Sequence, residues 1–116
     1  MSGICVLTMI RKGMMKMTEQ EMMELFAGGF DCSQVALVSA ADRLGIDREE
    51  ALKLSSAFGG GMYAGETCGA VTGVLMAIGY KYGHCKPGDA AAKEKVIEKV
   101  REFREAFCEQ LGSTMC

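Results

Sequence analysis

Helix-start residues recur along this chain, and each is answered by glycine about one helix further on. Thr18 is followed three residues later by Glu21, the spacing of a capping box, and Met17 and Met22 stand where a hydrophobic staple would close. The helix they start runs into Gly28-Gly29. Asp31 and Gln34 repeat that spacing, with Phe30 and Val35 as staple, for a second helix to about Leu44 and a stop at Gly45. Asp47 and Glu50 start a third, which ends before Gly59-Gly60-Gly61. Thr67 is the best N-cap for a fourth, Cys68 to about Tyr82, stopped by Gly83. Pro87 suits the first turn of a fifth, which runs to Leu111 with Gly112 just beyond. One proline, no tryptophan and few β-branched runs agree. The expected fold is all-α: a compact up-down bundle of about five helices.

Two segments set how the bundle packs. Gly69 to Gly79 is apolar nearly all round, so the fourth helix is expected to be the buried, Gly-rich central element. Gly69 and Gly73, four apart, share a face that lets a neighbouring helix come close. On the fifth helix Val96, Val100, Phe103, Phe107 and Leu111 form one stripe among lysine, arginine and glutamate. The methionine-rich first helix reads as core or as a homodimer contact. Residues 1–16 show no clean period and are expected to be a loose tail, Cys5 in it without a role, leaving 17–116 as one domain.

A length of 116 residues suits a single core. With 49% hydrophobic residues the chain is no disordered segment, and a net charge of -2 offers no basic face for nucleic acid. The stretch from Gly69 to Tyr80 is shorter than the roughly 20 residues a membrane helix needs. The apolar run Ile4 to Ile10 has neither a preceding basic residue nor a small-residue cleavage site, so no export signal is expected. The expected setting is the cytoplasm, with thiols kept reduced and no membrane partner.

The six cysteines, at 5, 32, 68, 85, 108 and 116, include no C-x-x-C pair, so a shared site has to be assembled by folding. Buried cysteine is often mere core filling, and that is the bland reading of each one alone. The helix path argues for more. A short turn makes helices two and three antiparallel neighbours, which puts Cys32 at the end where helix three finishes. The chain leaves that end through Gly59–Gly61 and enters helix four at Cys68. Helix five, longer than helix four, returns past Cys68 near Arg101 and carries Cys108 and Cys116 beyond it. Cys32, Cys68, Cys108 and Cys116 are thus expected at one pole, and Cys85 at the other.

Cys32 and Cys68 are each expected at a first helical position, where unpaired N–H groups and the macrodipole favour a thiolate. They are the candidate redox-active thiols. Four thiolates without histidine suit an iron–sulfur cluster or zinc equally, whereas a disulfide switch needs only Cys32 and Cys68. Gly60, Gly61 and Gly69 are the candidate cofactor-binding positions, because glycine lets backbone approach a sulfur-bound cluster. Other features carry less. His84 beside Cys85 reads as an exposed loop residue. Arg104 either supports a thiolate or lays its stem along the core. Neither paired carboxylates nor a phosphate-binding loop stands out, which leaves no basis for hydrolase or nucleotide chemistry.

The segment Phe58-Gly-Gly-Gly-Met-Tyr-Ala-Gly-Glu-Thr-Cys-Gly-Ala-Val-Thr-Gly73 resembles the signature of the C-GCAxxG-C-C family of redox-active proteins. Phe30-Asp-Cys-Ser-Gln34 is similar to that family's first cysteine motif, and Phe107 to Cys116 to its third. The resemblance implies a small helical protein with four characteristic cysteines that works in electron transfer with a redox partner; thiol/disulfide exchange through the same cysteines is the reading that the residues themselves add. It also implies kinship with the non-haem part of split-Soret cytochromes, which carry an iron–sulfur centre. The matching ligands are Cys32, Cys68 and Cys116. The family's fourth cysteine lies beyond the third, a place for which Cys108 is the candidate here. A structural zinc module and a dimeric helical adaptor without redox chemistry are the competing readings.

Overall fold

The computed structural model describes residues 17–112. The N-terminal tail, Cys5 and Cys116 lie outside the described residues. Five α-helices follow one another: α1 (Glu19–Ala27), α2 (Cys32–Leu44), α3 (Arg48–Ser55), α4 (Gly69–Tyr82) and α5 (Ala90–Leu111). Ser56–Phe58 adds a turn of 3-10 helix after α3, and Gly61–Gly65 forms a wide turn before α4. No strand occurs among the described residues. The chain is all-α, as its caps and glycines imply.

The first three helices start on the expected caps. Thr18 accepts the Glu21 N–H at 3.1 Å, and Asp47 accepts the Glu50 N–H at 3.1 Å. Gln34 Oε1 accepts the Asp31 N–H at 2.9 Å, the return half of a capping box. Met17 and Met22 both pack on the core. Gly45 ends α2 with a φ of 72°, a left-handed conformation that glycine adopts without penalty.

Both later starts are displaced from expectation. Cys68, not Thr67, is the N-cap of α4: its ψ of 135° is non-helical and its carbonyl accepts the Val71 and Thr72 N–H groups. Gly69 becomes the first helical residue because it lies directly on α2, where a side chain has no room. At α5, Pro87 precedes the helix instead of opening it. Gly88, with a φ of 75°, turns the chain, and Asp89 accepts the Ala92 N–H at 3.1 Å. A side-chain cap outcompetes the preset φ of proline here.

The closest helix contact joins α2 and α4. A Cβ built on Gly69 would stand 3.0 Å from Ser33 N and 3.3 Å from Cys32 Cβ. One on Gly73 would stand 2.5 Å from Ser33 O and 2.6 Å from Ala36 Cβ. Advancing along α4 therefore advances along α2, and the two helices run parallel with their N-termini together. α3 returns against α2, tied by Ser33 Oγ donating to Ser55 O at 2.7 Å and Gln34 Nε2 to Leu52 O at 3.0 Å. These bonds occupy carbonyls that the end of α3 would otherwise leave unpaired. α5 covers α4 with the expected stripe: Phe107 is fully buried, and Phe103 packs its ring 5.7 Å from it.

The expected burial of the fourth helix holds only for its first turns. Gly69, Ala70, Val71 and Gly73 are buried, whereas Val74 to Gly79 are half-buried. The fully covered element is instead the first half of α2, from Cys32 to Val38. Past Gly73, side chains hold the two helices apart, and a groove of about 310 Å³ opens between Ala36, Ala40, Val74 and Ala77.

Two glycines of α4 should respond oppositely to the same substitution. Gly73→Ala drives a methyl into α2 and is expected to cost about 1–3 kcal/mol. At Gly79 a Cβ meets nothing within 4 Å, so Gly79→Ala is expected to stabilise by about 0.5–1 kcal/mol through helix propensity. Urea denaturation of both variants measures the contrast.

Candidate functional site

The parallel pairing of α2 and α4 decides where the thiols go. Cys32 is the first residue of α2, and Cys68 caps α4 one residue before Gly69. Since Gly69 presses on Cys32, the Cα of Cys68 lies within about 9 Å of Cys32 Cβ, a single peptide step and one bond away from that contact. Both cysteines are 3% exposed. The N-termini of α2 and α4 meet at these two residues.

The other cysteines among the described residues are exposed. Cys85 follows the C-terminus of α4, about 20 Å of helix from Cys68, and is exposed together with His84. Cys108 is exposed on the last turn of α5, and Arg104 points to solvent one turn before it. Among the described residues, no three His, Cys, Asp or Glu side chains stand close enough to hold a metal ion. Among the described residues, the two helix starts that Gly69 brings into contact carry Cys32 and Cys68.

The candidate glycines shape this pole. Gly60 and Gly61 take φ of 55° and 65°, which bends the chain out of the Ser56–Phe58 turn, and Gly61 is buried. At Gly69 the close approach is to α2 and to the Phe58 carbonyl, 3.1 Å from a Cβ placed there. Gly59 is equally confined, since its Cβ would stand 2.5 Å from the Asp31 carboxylate.

Sequence reasoning missed the polar fastening of this loop. The Tyr63 hydroxyl donates to Asp31 Oδ2 at 2.5 Å and reaches Ser56 O at 3.1 Å. Met62 and Tyr63 both sit in the left-handed region, with φ of 61° and 54°, unusual for side chains of their size. The hydrogen bond to Asp31, with partial desolvation and the carboxylate's charge, raises the Tyr63 phenol above its ordinary value. The available signal was a lone tyrosine inside a glycine-rich loop, with no partner legible thirty residues upstream.

The family model described as Putative redox-active protein (C_GCAxxG_C_C) matches residues 30–116, most of the chain. The chain belongs to this family. The C_GCAxxG_C_C match takes in Cys32, Cys68, Cys108 and Cys116 together with the whole glycine-rich loop, and begins one residue before Asp31. No curated protein and no solved structure gives a significant match. No helix among the described residues is long and apolar enough to cross a membrane.

The raised Tyr63 phenol fixes the sign of a pH effect. A group that holds its proton more tightly when folded contributes fully below its unfolded pKa of about 10, and the contribution is lost as pH climbs through the raised folded value. Stability is thus expected to fall more steeply above pH ~10 in the native chain than in Tyr63→Phe. Thermal melts across alkaline pH, with phenolate absorption followed in parallel, compare the two.

Proposed function

We propose that this protein is a thiol redox protein in which Cys32 and Cys68 form the working dithiol/disulfide pair. The observation that supports it is the contact of Gly69 with Cys32 Cβ, which brings two cysteines 36 positions apart to adjoining helix N-termini. The family description supports the same class of chemistry.

The reaction class is thiol–disulfide exchange with a disulfide-bearing partner. One of the two cysteines, as thiolate, attacks a sulfur of the partner disulfide, giving a mixed disulfide and releasing the partner's other sulfur as a thiolate that takes up a proton. The second cysteine, having given up its proton, attacks the mixed disulfide. The products are the Cys32–Cys68 disulfide and a partner dithiol, so two electrons and two protons pass to the partner.

A second reading keeps the same pair as two ligands of an iron–sulfur cluster or of zinc, with Cys116 and Cys108 as the further candidates. The extension of the family match to Cys116 favours it. Such a group would supply one-electron chemistry, if a cluster, or structural pinning, if zinc.

Anoxic purification with absorption spectroscopy and elemental analysis separates these readings. The dithiol reading expects neither iron nor zinc in stoichiometric amount and one reversible two-electron transition in glutathione redox buffers. Peptide mapping is expected to assign that transition to Cys32 and Cys68, and Cys32→Ser or Cys68→Ser to abolish it. Visible absorption with bound iron would establish the cluster instead. Two thiols that stay titratable after oxidation, without metal, would overturn both.

A further inference from the structure

The loop that connects the 3-10 turn to α4 leaves from Phe58, whose carbonyl lies beside Gly69, and returns to the chain just before Cys68. On its way it touches Asp31, the residue immediately before Cys32, twice: through Gly59, packed flat on the carboxylate, and through the Tyr63 hydroxyl. Both ends and both contacts of residues 59–67 therefore lie at the pole that carries the thiols, and both thiols are buried. Tyr63 itself is 67% exposed, so its ring adds little to the core; what fastens it is the bond to Asp31. Two successive non-glycine residues in left-handed backbone make the closed loop a conformation that needs such a fastening.

We propose that residues 59–67 form a latched cover over the Cys32–Cys68 pair, and that the Tyr63–Asp31 hydrogen bond is the latch that sets how often the thiols are open to a partner. Buried sulfurs cannot reach a protein disulfide while the loop is closed. Release of Tyr63 lets the strained turn relax and uncovers both cysteines without disturbing the α2–α4 contact that Gly69 and Gly73 make. The proposal deepens the dithiol reading of the same site. Its test is independent of that reading, because reaction with an alkylating agent needs accessible thiols and no redox cycling.

The test is residue-resolved alkylation of the reduced full chain by iodoacetamide, read by peptide mass spectrometry, with exposed Cys108 as internal standard. Tyr63→Phe removes only the hydroxyl and is expected to speed alkylation of Cys32 and Cys68 by about tenfold while leaving Cys108 unchanged. Asp31→Asn retains an N-cap side chain and a weaker acceptor, so it is expected to give a smaller acceleration. The double variant is expected to react no faster than Tyr63→Phe, because both changes open one latch. Unchanged rates at Cys32 and Cys68 in Tyr63→Phe would overturn the proposal. So would acceleration of Cys108 in step with them, which signals global opening, or multiplied effects in the double variant. If alkylation behaves as expected but oxidation produces no Cys32–Cys68 disulfide, the latch stands and the dithiol reading fails.

Discussion

Gly69 and Gly73 let α4 lie backbone to backbone on α2, and the rest of the arrangement follows from that contact. A methyl group at either position would meet backbone atoms of Ser33, and at Gly73 it would collide outright. Because the contact runs Gly69 to Cys32 and then Gly73 to Ala36, the helices are parallel. Parallel neighbours in sequence-distant helices place two N-termini side by side. Each N-terminus here begins with a cysteine. The thiol pair is thus a consequence of glycine spacing on one helix and of a cysteine at the start of each.

The buried polar side chains at this pole are paired. Ser33 and Gln34, both buried, spend their side chains on carbonyls of α3, and no buried side-chain polar atom among the described residues lacks a partner. Such satisfied bonds cost little and fix the register of α2 against α3, whereas the same groups unpaired would each be expensive. The fixed pole then carries one element of a different kind, the glycine-rich loop with its left-handed Met62 and Tyr63. Rigid helices position the sulfurs, and a strained loop with one strong polar contact lies next to them.

Much of this was legible in the sequence because its signals are local. Thr18, Asp47 and the Asp31–Gln34 pair act within one helical turn, so the caps read from spacing are the caps formed. Gly45 and Gly112 end their helices as expected, with positive φ. What misled was competition between local signals and packing. Thr67 is the better cap by type, yet Cys68 takes the place because Gly69 has to lie on α2 as the first helical residue. The uniform apolarity of Gly69–Gly79 suggested burial throughout, yet only the residues facing the glycine contact are covered. The Tyr63–Asp31 bond joins residues with no shared pattern and was invisible for that reason. The gathering of Cys32 and Cys68 was readable because it needed only helix direction and two short connections.

The central claim is spatial: that the folded path of this chain brings the sulfurs of Cys32 and Cys68 to one another at adjoining helix starts. Sulfur anomalous scattering from crystals of the reduced protein locates both atoms without reference to any site assignment. The account requires them to lie within one helix diameter, about 10 Å. Sulfurs found further apart than that, with α2 and α4 intact, would contradict it.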